Sequence, residues 1–187
     1  NGNHAIVDWV VVELRNSANS AQVLFSKPAL LQRDGDVVDL DGDGYVNFPS
    51  AGGSYYVALR HRNHLGVMTS TTRNLGVAPL TVDLRLSSTT CYGTAPRVGV
   101  GSVQCLWPGN ANGDNVIGYT GADNDRDVLL QAIGGVLPTN TLNNVYDRRD
   151  VNMDGTVKYT GTANDRDVIL QTIGGSVPTN TRVQQLP

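Results

Sequence analysis

Two textures of hydrophobic and polar positions follow one another along this chain, and the change falls near residue 106. Up to that point the apolar residues fall into short runs with a period of two, separated by Gly, Asn and Pro clusters. "AIVDWVVVELR" (Ala5–Arg15) is apolar on both alternating faces, with Ile6, Val10, Val12 and Leu14 on one side and Val7, Trp9 and Val11 on the other. Such a segment predicts a central strand covered on both faces. "AQVLFSKPALLQR" (Ala21–Arg33) and "DVVDL" (Asp36–Leu40) flank an Asp34–Gly35 turn, which predicts a hairpin. "SYYVALRHR" (Ser54–Arg62), "LGVMTS" and "LTVDLRL" (Leu80–Leu86) complete a set of strands with no helical segment. The expected fold of residues 1–105 is an antiparallel, Ig-like β-sandwich.

Residues 106–187 carry an internal repeat with a period of 40: residues 110–141 align with 150–181 without gaps, and 19 of the 32 positions are identical. Each copy runs from an Asn/Asp-rich loop through "NDRDVLLQAI" or "NDRDVILQTI" to "GG" and "PTNT". The middle part predicts a short helix. Asn124 and Asn164 suit the N-cap, with Asp127 and Asp167 three positions on. Val128, Leu130 and Ile133 in one copy, and Val168, Leu170 and Ile173 in the other, supply an apolar stripe. Gly134–Gly135 and Gly174–Gly175 suit a left-handed C-cap. Units this small cannot bury their stripes alone, so the two copies are expected to pair around a shared core. The whole chain is therefore expected to be mainly β, with a small α module.

The loops suggest chemistry. Asp150, Asn152, Asp154 and Gly155 form a D-x-N-x-D-G pattern, which turns alternating side-chain oxygens toward one centre and then bends sharply. A twelve-residue calcium loop closes with an acid at position 12, but here that position is Gly161. Asp165 follows four residues later, at the expected start of the helix, where a carboxylate is favoured. The first copy repeats this delay with Asp125, so the loop reads as lengthened rather than decayed. The candidate calcium ligands of the second copy are Asp150, Asn152, Asp154, the carbonyl of Thr156, and Asp165. In the first copy they are Asn110, Asn112, Asp114, the carbonyl of Val116, and Asp125, with Asp123 as a further oxygen. Asn115 stands at the bend in place of Gly, and Asn tolerates the left-handed conformation. The plainer alternative is a pair of Asx-rich turns capping helices without metal. A third acidic cluster, Asp39, Asp41, Asp43 and Gly44, has similar spacing, but Ser50 stands at position 12 and no helix follows. It reads as either a third calcium site or a hairpin turn.

These residues resemble a dockerin-type repeat pair, the duplicated calcium-loop–helix module of secreted bacterial proteins. "DVNMDG" and the helix after it carry the resemblance. The "YTG…NDRD" insertion is similar to a variant found at the C-termini of large secreted or surface proteins of gliding, environmental bacteria. "IVDWVVVELR", "LLQRDGDVVDLDGDG", "YYVALRHRNHLGVMT" and "QQLP" resemble the β-domain and chain end that accompany it. The resemblance implies an extracellular, calcium-stabilised, non-catalytic region. It also implies a strand upstream of "VDWV" that is not in this sequence, so the sandwich is expected to lack a strand or to borrow one.

Composition narrows the function classes. A net charge of −3 offers no basic footprint for nucleic acid, and no apolar run reaches the length of a membrane span. The sequence begins at Asn1 with no visible leader, as a processed chain does. Cys91 and Cys105 flank a Gly-rich segment and read as a disulfide or as two free thiols; with no thiol or zinc motif nearby, the bridge is the expectation. "RHRNH" (Arg60–His64) is the one basic knot and is expected to serve structural hydrogen bonding. No nucleophile, phosphate-loop or metalloprotease motif is visible, so no enzyme activity is expected. Three readings follow. The first is a structural module acting through protein partners or self-association, as a homo-polymeric fibre or coat at the cell surface. The second is a docking appendage of a larger secreted enzyme or adhesin. The third is a carbohydrate-binding sandwich using Trp9, Trp107, Tyr55 or Tyr56.

Overall fold

The computed structural model describes residues 2–42, 44–49 and 51–187. The described residues are mainly β, with antiparallel sheets and two short helices. They fall into two compact units: Asn1–His61, Gly66–Leu106 and Gln185–Pro187 form one, and Arg62–Leu65 with Trp107–Gln184 form the other. The change of texture near residue 106 is thus crossed twice, by four residues in one direction and by the last three in the other.

The first unit is built on a six-stranded sheet. Its strands are β1 (Ile6–Asn16), β2 (Val23–Gln32), β3 (Val37–Val38), β4 (Gly53–Arg60), β5 (Val67–Met68) and β6 (Arg73–Leu75). The order is β3-β2-β1-β4-β5, with β6 also pairing β4, so the doubly apolar segment does form a central strand. Val10 and Val12 of β1 pair with Ala29 and Lys27 of β2, and Val12 also pairs with Leu59 of β4. That face buries Val10, Val12 and Ala29 against Leu31, Val37, Val46, Phe48, Val57 and Leu59.

Cover on the opposite face is uneven. Trp9 keeps 41% of its surface exposed and Val7 45%, whereas Glu13 and Arg15 are buried. Arg15 donates to Glu13 Oε2 from Nε (2.9 Å) and Nη2 (2.7 Å), and from Nη1 to the Pro187 carbonyl (3.0 Å). A buried charge is tolerated when it is paired and hydrogen-bonded in this way.

Two expectations for this unit are corrected. Leu80–Leu86 forms turns and irregular backbone rather than a strand; Asp83 there is held by Arg85, through Nε at 3.0 Å and the backbone N–H at 2.9 Å. The disulfide is not formed, and Cys91 and Cys105 are free thiols. Cys91 sits in a bridge opposite Thr69, with its thiol toward the Thr89 carbonyl at 3.7 Å. Cys105 ends β8 (Val103–Cys105), opposite Val98 of β7 (Val98–Val100).

The second unit holds the repeat. The first copy contains β9 (Val116–Gly118) and α1 (Asp125–Ala132), followed by β10 (Thr141–Asn143). The second contains β11 (Thr156–Lys158) and α2 (Asp165–Thr172), followed by β12 (Thr181–Val183). The strands pair crosswise. β10, which follows the first helix, pairs with β11 of the second loop, and β12 pairs with β9 of the first. Thr120 Oγ1 donates to the Pro178 carbonyl and Thr160 Oγ1 to that of Pro138, each at 2.9 Å. Each copy thereby completes the other.

The shared core contains Leu65, Ala111, Ile117, Leu129, Ile133, Val151, Val157, Ile169 and Ile173. The helix stripe is partly shifted from expectation. Leu129 and Ile169 are fully buried, while Val128, Leu130, Val168 and Leu170 are not. The buried line runs through Asp125, Leu129 and Ile133 in the first copy and through Asp165, Ile169 and Ile173 in the second, at i, i+4, i+8 spacing.

Candidate metal centre

That line explains why two aspartates lie in the interior. The helical spacing that buries Leu129 and Ile133 also turns Asp125 inward, and Asp165 is turned inward with Ile169 and Ile173 in the same way. Both helices start where expected. Asn124 Oδ1 accepts from the Asp127 N–H at 3.0 Å, and Asn164 Oδ1 from that of Asp167 at 2.9 Å. The Asn side chain and the neighbouring Arg hold the Asp127 and Asp167 carboxyls below the usual carboxylate range. After each helix Gly134 and Gly174 take positive φ, and the Gly135 and Gly175 N–H groups return to the Leu130 and Leu170 carbonyls at 2.8 Å.

In the second loop, Asp165 Oδ1 accepts from the N–H groups of Val151 (2.8 Å) and Asn152 (3.2 Å), and Oδ2 from that of Lys158 (2.8 Å). The late carboxylate therefore does reach back across the lengthened loop. Asp150 accepts from the N–H groups of Asp154 (3.1 Å) and Gly155 (2.9 Å), and Asp154 Oδ1 from that of Thr156 (2.9 Å). Asn152 Oδ1 accepts from the Asp154 N–H (3.0 Å), while its Nδ2 donates to Asp154 Oδ2 (3.1 Å) and the Ala163 carbonyl (2.9 Å).

The first loop repeats the frame. Asp125 Oδ1 accepts from the Asn112 N–H (3.1 Å) and Oδ2 from that of Gly118 (2.8 Å). Asn110 Oδ1 accepts from the N–H groups of Gly113 (3.1 Å) and Asn115 (3.3 Å), and Asp114 Oδ1 from that of Val116 (2.8 Å). Asn112 Nδ2 donates to Asp114 Oδ2 (3.1 Å) and to the Asp123 carbonyl (2.6 Å). Asn115 takes φ 71° at the bend, as Gly155 does at 84°.

The electrostatics of both loops share one feature. Burial pushes Asp125 up to about 6, against the backbone donors Gly118, Asn112 and Ala111, and Asp114 adds repulsion. Burial pushes Asp165 up to about 6 as well, against Lys158, Asn152 and Val151, with Asp150 adding repulsion. Asp150 is itself raised by burial, with the Gly155 and Asp154 N–H groups and the Arg62 charge opposing the rise. Among the described residues no ion pair involves Asp114, Asp125, Asp154 or Asp165.

Among the described residues, no three His, Cys, Asp or Glu side chains form a ready metal group. The donor set fits a hard cation in kind rather than as a preformed cage. It consists of carboxylates, Asn amides and turn carbonyls, and a carboxylate oxygen holding one N–H retains a second lone pair. Asn112 and Asn152, expected as ligands, act here as cross-links through their Nδ2 groups. The Ala163 and Asp123 carbonyls they hold belong to residues at φ 54°, which the sequence pattern did not single out as backbone donors.

Several of the other candidate groups are already engaged. The Lys27 ammonium, with the Asn47 and Leu40 N–H groups, holds Asp39 down to about 2; Asp43 and Ser50 lie outside the described residues. Trp107 lies under the Arg182 guanidinium at 3.5 Å, and Tyr55 packs edge-on against Phe25. In the basic knot, His61 Nε2 lies 3.1 Å from Asp8 Oδ2, both side chains being buried. Arg62 stacks on Tyr146 at 4.4 Å and donates to the Asp147 carbonyl.

The chain matches no known family model, no curated protein and no solved structure.

Proposed function

We propose that this protein is a non-enzymatic, calcium-stabilised extracellular structural module that acts through protein–protein contacts and assembles with copies of itself into a surface fibre or coat. In this reading the second unit is a dockerin-like pair of calcium loops, and the first is an Ig-like sandwich whose six-stranded sheet forms one layer. The observation that carries the calcium part is the duplicated frame. Two loops of different sequence hold matching hydrogen bonds around a buried aspartate at the helix start. Each leaves that carboxylate buried without a cationic side chain, a deficit that a divalent cation makes good. Calcium supplies the positive charge; the chain supplies Asp150, Asp154 and Asp165, or Asp114 and Asp125, together with the Asn and carbonyl oxygens around them. Ligand binding to a frame of this kind couples to folding.

The assembly part rests on the resemblance and on exposed apolar side chains such as Val7, Trp9, Val23 and Leu24 on β1 and β2. The test is calorimetric calcium titration, followed by electron microscopy and sizing with and without chelator. Two bound calcium ions per chain and calcium-dependent multimers are expected. Absence of calcium uptake overturns the first half of the reading, and monomers at every calcium concentration overturn the second.

A further inference from the structure

The second unit depends on four residues that the sequence places between two strands of the first. Within that segment, Asn63 has no exposed surface and spends its carbonyl and its side-chain amide inside the unit. The carbonyl accepts from the Gly109 N–H (3.1 Å) and from the Asn110 N–H (3.0 Å). Its Nδ2 donates to the Asp150 carbonyl at 2.6 Å, and its Oδ1 faces His64 Nδ1 at 2.8 Å. Asn110 and Asp150 are the first residues of the two loops. One buried side chain and its own carbonyl therefore hold the leading residue of both candidate metal sites.

The neighbours of Asn63 fix it in place. Leu65 is 2% exposed and lies in the shared core, and its N–H donates to the Trp107 carbonyl at 2.9 Å. On the other side, Arg62 is held over Tyr146. The leading residue matters because the rest of each loop is hung from it. Asp150 collects the Asp154 and Gly155 N–H groups, and Asn110 those of Gly113 and Asn115.

We propose that Asn63 is the positioning residue for both loops, a clasp that sets the first ligand of each and couples their calcium occupancy to the order of the Arg62–Leu65 segment. Its calcium part rests on the function proposed above; the clasp itself does not. Asn63 coordinates nothing. The two contacts also differ in kind: the second loop is held by the side chain, the first by the backbone. Substituting the side chain therefore removes one contact and leaves the other, and the two loops should respond unequally.

The experiment is a calcium titration of the full chain followed by amide NMR, reading Asn115 for the first loop and Gly155 for the second. It is done on wild type, Asn63→Ala, Asn63→Asp and, as a packing control, Leu65→Ala. Loss of one buried hydrogen bond predicts about tenfold weaker calcium binding at the second loop in both Asn63 variants. At the first loop it predicts a loss of less than about threefold, because the carbonyl contact survives. Leu65→Ala removes packing from the same segment without touching either Asn63 contact, so it is expected to lower the melting temperature and to weaken both loops to a similar extent, without the inequality of the Asn63 variants. An Asn63→Ala protein that melts lower but binds calcium normally at the second loop overturns the proposal. If wild type takes up no calcium, the proposed function fails, and the clasp is judged on the metal-free spectra. Unshifted Asp154 and Gly155 amides in Asn63→Ala then overturn it, and displaced ones support it.

Discussion

The two loop–helix copies hold closely similar hydrogen-bond frames with different residues at the first position. Asn110 opens one loop and Asp150 the other, yet each collects two backbone N–H groups at the bend. The frame therefore does not require a charge at that position. What the charge changes is the electrostatic excess: the second loop carries Asp150, Asp154 and Asp165, while the first carries Asp114 and Asp125 with Asp123 at its margin. The bend also differs, since Met153 occupies at φ 60° the position that Gly113 occupies at φ 83° in the other copy. Shape is common to the copies; charge and backbone strain are where they part.

The largest expected effect comes from removing the carboxylate at either helix start. Asp165→Ala strands the Val151, Asn152 and Lys158 N–H groups in a buried place, and Asp125→Ala strands those of Asn112 and Gly118. Each variant should lose about 3 kcal/mol or more. Because the strands pair crosswise, each should melt the whole second unit in one calorimetric transition. Two separate transitions would break the equivalence of the copies.

A smaller effect is the pH dependence of the metal-free protein. Asp125 and Asp165 are raised from 3.8 to about 6 in the folded state, so folding takes up protons between those values. Their stabilising contribution is fully present below about pH 4 and is lost as the pH rises through 6, by at most about 2–3 kcal/mol for each carboxylate. Bound calcium requires the deprotonated groups, so stability over the same window should rise instead. Denaturant melts across this window, with calcium and with chelator, check the reversal of slope; two parallel curves would count against calcium in the loops.

The smallest effect sharpens the backbone difference. Met153→Gly relieves a left-handed non-glycine residue and should stabilise by about 0.5–1 kcal/mol. Gly113→Ala should destabilise, because a Cβ there collides with the Arg148 guanidinium as well as straining the backbone. Chemical denaturation of the pair reads both signs.

Much of this was legible locally. β1 is central, as its two apolar faces imply, and Asn124 and Asn164 cap their helices, as residue type and spacing imply. Asp125 and Asp165 reach back to the loop despite the insertion. The failures have two kinds of cause, local features that were misweighed and contacts between residues far apart in the chain. "LTVDLRL" alternates like a strand, but its Asp83 and Arg85 form a local ion pair and turn instead of finding a partner strand. The helix stripe misses Leu129 and Ile169 because its counting starts from the apolar residues and leaves out the buried aspartate at the head of the line. The crosswise strands and the Asn63 contacts join residues far apart in the chain, and nothing in "PTNT" or "RHRNH" names a partner. The repeated "PTNT" did mark equivalent positions, and equivalence is the one local trace that reciprocal pairing leaves.

The crosswise strands also bear on how this unit behaves when cut. A peptide holding one copy keeps its loop strand and its trailing strand but loses the partner of each, while carrying both halves of the missing complement. Two such peptides can satisfy one another's strands across a two-fold axis, as a domain-swapped homodimer that restores between chains the strand pairing found here within one, but not the Asn63 and Leu65 contacts.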